Sequence, residues 1–557
     1  MKKAMIKATA VIVFPIIAAL VALSIMLFSR TDKFRITLDT ESGLSSEHRI
    51  KDFKNMVEYI EDNVPFIYDY EELYGISFEN VKEFYSKLVE NTENDYEYYA
   101  LVQGFINNIP SGHMTIGYPN VDYVSSLYTY RTNDYTNFNS VCDYWENQLM
   151  EECRKHYNED YCILPYYYVN GEYIQSEYFS LNGNDNYAGS RLVSVDNVPI
   201  DEFIKLCPLE YKLNYDHQNN KAFRETILFN SVCGNECTVQ YEDKNGNLIS
   251  EKMYYGTSGS IVLNYIDYFY DIDYPEKTNT ASEKNADTYI YTYYDDESNA
   301  MYMKFNDFTY GGAEALKELD KTDIPDNIII DLRDNTGGMV SVCDALIERL
   351  SDKNIEYKAE VYITPDSNYD GSGYTDQKAE NLPFKTKFKH LYTDIRNESF
   401  EGKSERAYNV YVMVSHYTLS AADRFASVIK DNDLGTVIGA FNTGGESYGS
   451  PDLKVLERSG IYFYYTPNKV LNNNGTDNSV YGTSPNVYVN MNKETLNKRD
   501  ELISQGINYS TYENRLKWDD VLIETLELIK EGKNDKGNNI ADELDNGQRR
   551  NAARKAE

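Results

Sequence analysis

After Ser45 and Ser46, either of which can cap a helix, Ile50, Phe53, Val57 and Ile60 recur at i, i+3, i+7 and i+10. That spacing lays one apolar stripe along a helix. Val81, Phe84, Tyr85 and Leu88 repeat it after Ser77, and Tyr99, Val102, Phe105 and Ile106 form a third face. The helical text ends at Pro110-Ser-Gly-His113. From about 120 to 270 the pattern becomes alternating and Tyr-rich, broken by Gly and Asn turns. Arg191–Pro199 reads as a strand and turn, and Thr238–Gly246 as a strand entering a hairpin. From about 285 to 495 short apolar runs alternate with helical stripes, the mark of an α/β core. Asn327–Asp331 and Tyr408–Val414 are buried-strand runs, each followed by a helical pattern, Ser341–Leu350 and Ala421–Ile429. Residues 516–531 form a last amphipathic helix, and Asp535–Glu557 has neither periodicity nor apolar bulk.

Thr9–Phe28 carries no charge. Twenty helical residues span about 30 Å, one hydrocarbon thickness. Lys2, Lys3 and Lys7 precede it, which predicts a membrane anchor with a cytoplasmic N-terminus. A cleaved signal peptide is the alternative, and either exports the body of the chain. The 557 residues allow about three or four domains. The formal net charge of -35 opposes nucleic-acid and anionic-lipid surfaces, so phosphate-backbone binding is not the expected task. Six of the 7 cysteines (Cys142, Cys153, Cys162, Cys207, Cys233 and Cys237) cluster in the middle of the chain, consistent with export but without a defined pairing. Cys233-x-x-x-Cys237 lacks a partner pair at metal-binding spacing, and no cofactor is expected. Cys343 falls within an apolar helical stripe and is expected to be buried.

Two places combine structure and chemistry. Ser420 follows a buried strand and opens a helix, where free N–H groups and the helix dipole would stabilise an anionic intermediate. The same position is also an ordinary N-cap. In Asp331-Leu-Arg-Asp-Asn-Thr-Gly-Gly338 paired glycines follow another strand, letting backbone N–H groups approach a ligand, or simply making a tight connection. A serine nucleophile needs a base, and among the 6 His the candidates are His113, at a module boundary, and His416, close to Ser420 in sequence.

Together these segments resemble the tail-specific (C-terminal-processing) and tricorn-core serine peptidases. Asp331–Gly338 resembles the family's D-L-R-x-N-x-G-G turn, and Thr418-Leu-Ser-Ala-Ala-Asp423 its nucleophile segment. Thr436–Gly445 resembles its V-I-G-E-x-T-x-G stretch, and Gly482-Thr-Ser-Pro-Asn-Val487 its G-V-x-P-D-V segment. Gly189–Ile200 resembles part of its PDZ-like module, and Pro110–Thr115 the His-bearing turn of the tricorn-like branch. The resemblance implies Ser420 as nucleophile, His113 as general base, and an oxyanion hole from the amide of Ala421 with that of Gly337 or Gly338. The Lys of the processing branch falls at Gly445, so the base must be His. The His-orienting carboxylate falls at Ser479, with Asp477 beside it as the expected third catalytic residue; Glu446 and Asp423 are other nearby carboxylates. The family's Glu after V-I-G is Ala440 and its Asp after Pro is Asn486.

The expected architecture is an α/β protein. It comprises a membrane anchor or signal (1–29), a stalk and helical module (30–119), a PDZ-like Tyr- and Cys-rich module (120–284), a peptidase core (285–532) and a polar tail (533–557). The expected function is a membrane-anchored, extracytoplasmic serine endopeptidase acting on unstructured peptides or protein C-termini. The alternative is an inactive relative that binds peptides at the cell surface.

Overall fold

The computed structural model describes residues 35–117, 135–156, 166–178, 187–206, 212–225, 236–254, 290–308, 310–321, 324–365 and 373–532. The Thr9–Phe28 segment, the 533–557 tail, and Cys162, Cys207 and Cys233 lie outside them. Among the described residues no helix is long and apolar enough to cross a membrane.

Helices Ser46–Asn63, Phe78–Glu90 and Asp95–Asn107 build the N-terminal module. Ser45 rather than Ser46 is the first cap, accepting from the His48 N–H; Ser77 and Asn94 cap the other two. Phe53, Val57 and Ile60 are buried as their spacing predicts, but Ile50 is exposed. On that turn Arg49 turns inward instead, bonded to Asp95 Oδ1 at 3.1 Å and to the Thr92 carbonyl at 2.8 Å.

Two pieces of distant sequence complete this core. Helix Phe138–His156, inside the stretch expected to open the β-rich module, buries Phe138, Val141, Trp145 and Leu149 here. Strands Asp452–Val455 and Tyr462–Tyr465 also pack here, and the second pairs antiparallel with Thr115–Ile116, Thr115 opposite Tyr464. The pairing begins two residues after His113, so the late chain is fixed beside it.

The β-rich module is an antiparallel sheet ordered Tyr167–Val169, Glu172–Ile174, Arg191–Val195, Glu236–Glu242, Leu248–Tyr254, covered by helix Ile200–Leu206. Its core contains Tyr166, Tyr168, Tyr173, Tyr187 and Tyr241, so these five tyrosines are packing material.

The α/β core is a six-stranded sheet ordered Ile290–Asp295, Ala300–Phe305, Asn327–Asp331, Asn409–Val414, Gly435–Gly439, Val487–Tyr488. All neighbours are parallel except the first pair. Helices Val340–Leu350 and Ala421–Asp431 bury one face and helix Asp520–Glu531 the other. Strands covered on both faces must be apolar throughout, hence Ile328-Ile-Ile330 and Val410–Val414. Three adjacent strands end on the same side. The loop after Asn327–Asp331 carries Gly337 and Gly338, that after Asn409–Val414 carries Ser420, and that after Gly435–Gly439 carries Glu446. The carboxyl ends of parallel strands are where such sheets build sites.

Candidate active site

Ser420 occupies the N-cap position of helix Ala421–Asp431, but its side chain caps nothing. Its backbone sits at φ 55° and ψ -124°, a strained conformation for a residue with a Cβ. The surroundings impose it. The Ser420 N–H donates to the Gly445 carbonyl at 3.0 Å, the Leu419 N–H to the Asn335 carbonyl at 3.1 Å, and the Thr418 hydroxyl to the Leu332 carbonyl at 2.8 Å. The N-cap reading thus fails on the hydroxyl itself, which has no hydrogen-bond partner among the described residues.

The Gly-Gly turn lies against this segment. A Cβ on Gly337 would stand 2.7 Å from Ser420 Cβ and 3.2 Å from the Ala421 nitrogen. Gly337 has φ 109° and Gly338 φ 124°, both accessible to glycine and strained for other residues. The two glycines differ in one respect. The Gly337 N–H donates to Asn335 Oδ1 at 2.8 Å, whereas the amides of Gly338 and Ala421 have no partner among the described residues. Of the two candidates left open by sequence, Gly338 is therefore the one with a donor to offer alongside Ala421. The Asp331-Leu-Arg333 part of the motif is a brace: Arg333 bonds both Asp331 and Asp519, at 2.6–2.9 Å.

His113 comes to this place from the N-terminal module. Gly112 meets Leu419 so closely that a Cβ there would be 2.3 Å from Leu419 Cδ2, which sets the His113 and Ser420 segments side by side. His113 Nδ1 is 2.7 Å from Glu446 Oε2 and 3.2 Å from Thr466 Oγ1. Glu446 is fully buried and further held by Ser111 Oγ and Thr466 Oγ1, each at 2.6 Å. Burial pushes its carboxyl up, but the facing imidazole and the hydrogen bonds from His113, Ser111 and Thr466 outweigh this and bring it down to about 2. With Nδ1 engaged, Nε2 is the ring nitrogen left for a reacting group.

Asp477, expected as the third residue, is placed elsewhere. Its Oδ2 is 2.5 Å from Lys469 Nζ, which also bonds Asp69, and neither of its oxygens bonds His113. Ser479 donates no proton to the imidazole either; its hydroxyl accepts from the Val470 N–H at 2.9 Å. Asp423 is buried beneath the site, bonded to Thr443, Thr483 and Asn478, with burial raising its carboxyl to about 6 against those hydrogen bonds. His416 is the rival base, but both its ring nitrogens are buried without a hydrogen bond, among Phe223, Tyr417 and Phe441. The nearest carboxylate oxygen, on Glu225, is 4.0 Å from Nε2. Cys343, buried as expected, lies under the site with its thiol on the Ala421 carbonyl at 3.3 Å, and burial pushes it up to about 12.

The Lys position at Gly445 is closed to any side chain, since a Cβ would meet the Asn478 carbonyl at 2.2 Å and φ is 79°. The next residue, Glu446, also at positive φ (59°), supplies the carboxylate. A cleft of about 420 Å³ opens beside these groups, lined by Gly112, Tyr215, Thr336, Leu419 and Gly444.

Residues 299–489 match the sequence model of peptidase family S41. The match lies within the α/β core. Among solved structures, the chain is similar to mature CPAF complexed with lactacystin at TM-score 0.46 and 12% identity, covering 90% of this chain and 99% of that one. It is similar to a peptidase from Parabacteroides merdae at TM-score 0.40 and 14% identity, covering 87% and 97%. For the photosystem II D1 C-terminal processing protease the TM-score is 0.32 and the identity 14%, covering 79% and 93%. No curated protein sequence matches the chain.

Proposed function

We propose that this S41 chain is a membrane-anchored, extracytoplasmic serine endopeptidase of the His-containing, tricorn-like branch, working through Ser420, His113 and Glu446. The observation that carries the reading is the Glu446–His113 pair, on a turn packed through Gly112 against Leu419, next in sequence to a strained, uncapped serine. Ionised Glu446 accepts a hydrogen bond from Nδ1–H, which keeps that proton on Nδ1 and so leaves the Nε2 lone pair free. His113 Nε2 takes the Ser420 hydroxyl proton as Oγ bonds to the peptide carbonyl carbon. The carbonyl oxygen becomes an oxyanion facing the Ala421 and Gly338 amides. Nε2 then gives its proton to the leaving nitrogen as the C–N bond breaks, and water hydrolyses the ester by the same route. The β-rich module would act as the PDZ-like part, accepting an extended peptide by strand addition to its sheet, whose last strand among the described residues is Leu248–Tyr254. Substrates would be unstructured peptides or protein C-termini. Export and anchoring rest on Thr9–Phe28.

A fluorophosphonate probe tests the mechanism on the full chain. The wild type is labelled at Ser420, Ser420→Ala is not, and His113→Ala is labelled far more slowly. Absence of labelling in the folded wild type, or labelling undiminished in Ser420→Ala, overturns it.

A further inference from the structure

Lys212 belongs to no motif, and it stands in the stretch between the β-rich module's elements. Its ammonium donates to the carbonyl oxygens of Ser111, Gly112 and Met114, the last-named bond and the first being short and the Gly112 bond 3.1 Å. These carbonyls flank His113 on both sides. Inside the turn itself the support is thin: Ser111 N–H to the Ile109 carbonyl at 2.8 Å and Met114 N–H to the Ser111 carbonyl at 3.3 Å. Glu446 holds the turn from the opposite direction, through Ser111 Oγ and, at 3.4 Å, the His113 N–H.

The hairpin that presents Lys212, strands Asn214–Asp216 and Lys221–Phe223, is itself tied at both ends. Leu213 N–H donates to the Asn107 carbonyl and Arg224 to Asn108 Oδ1, on the His113 side. Gln218 donates to the Ala440 and Val489 carbonyls, on the Ser420 side. The hairpin therefore bridges the two halves of the site, with Lys212 as its contact to the base.

We propose that Lys212 is a positioning residue: it clamps the backbone around His113 and so fixes the imidazole relative to Ser420. It is not itself a base in this arrangement. All three N–H bonds of the ammonium are donated to carbonyls, which leaves no lone pair. Burial does lower its pKa to about 8, against the pull of Glu446, but the acceptors around it favour the protonated form. The inference rests on the peptidase reading for its catalytic consequence, while the clamp is measurable without it.

The test compares wild type, Lys212→Met and Lys212→Arg as full chains, by amide hydrogen exchange over residues 110–115 and by turnover of p-nitrophenyl acetate. In Lys212→Met, exchange at 110–115 accelerates and kcat falls about 10- to 100-fold with little change in KM, as expected for a displaced catalytic group. Lys212→Arg, which donates but does not deprotonate near neutrality, restores most of the protection and of kcat. Unchanged exchange in Lys212→Met overturns the proposal. So does unchanged kcat in that variant, or an inactive Lys212→Arg whose turn stays as protected as in wild type, which would make the amine a base. If Lys212→Met fails to fold, Lys212→Gln carries the same comparison. A wild type that fluorophosphonate does not label sinks the peptidase reading alone, and exchange at 110–115 still decides the clamp.

Discussion

Glu446 Oε2 and His113 Nδ1 stand 2.7 Å apart although 333 residues separate them, and the carboxylate is fully buried. Such a pair fixes which ring nitrogen keeps its proton. Glu446→Gln preserves the shape but presents an amide that can turn its N–H toward Nδ1 and select the other tautomer. Turnover is expected to fall by roughly 10³- to 10⁴-fold with the fold retained. Asp477→Asn, acting on a residue paired with Lys469, should leave turnover within a few-fold of wild type. Steady-state kinetics of the two variants check this, and equal losses would remove Glu446 from its role.

The imidazole has no room on one side. A Cβ on Gly449 would lie 2.7 Å from both His113 Nδ1 and Cε1. Because Glu446 and Thr466 hold the ring, Gly449→Ala must tilt it or break those bonds. A displacement of this order costs about 10²-fold in kcat. Labelling of Ser420 by fluorophosphonate should slow to match, while circular dichroism stays that of wild type. Undiminished labelling would mean that the ring is free to move without consequence.

How the site assembles explains what the chain's text revealed. The parallel strands were legible because burial on both faces demands unbroken apolar runs such as Ile328–Ile330, and the turns after them because Gly337, Gly338 and Ser420 stand at fixed places. Helix Phe138–His156 also carried its signal in Phe138, Val141, Cys142, Trp145 and Leu149, but neighbouring Tyr-rich text masked it. Glu446 was harder. It stands one residue beyond the Lys position, and its partner His113 is delivered by the Thr115–Ile116 pairing with Tyr462–Tyr465, a contact no local pattern announces. Gly445 was the available clue, since a glycine where a side chain was expected leaves space for the next residue to turn inward. Lys212 gave no signal, because its acceptors are backbone carbonyls, which are the same in every sequence.

In the proposed mechanism the amide of Gly338 shares the oxyanion with that of Ala421, and Gly337 makes the approach possible. Gly337→Ala would put its Cβ 2.7 Å from Ser420 Cβ at a φ of 109°. The turn must retreat, taking the Gly338 donor with it. Loss of one such donor costs about 10²- to 10³-fold in kcat. Burst kinetics with p-nitrophenyl acetate measure it in the acylation step, and an unaffected burst would place the oxyanion elsewhere.

Asp423 and Glu446 give opposite pH signatures. Burial raises the Asp423 carboxyl to about 6 from 3.8, so folding favours its protonated form. Its contribution is full below pH 3.8 and is lost as pH rises through 6, by about 3 kcal/mol. Glu446 is lowered to about 2 from 4.5, so its contribution is full above pH 4.5 and is lost as pH falls through 2, again by about 3 kcal/mol. Urea unfolding at a series of pH values resolves the two. The stability of wild type relative to Asp423→Asn should decline from pH 4 to pH 6, and that relative to Glu446→Gln should decline from pH 4.5 downward. A wild-type-minus-Glu446→Gln difference that is flat below pH 4.5 would show the carboxylate to be unpaired in solution, and the ordering of His113 would then need another source.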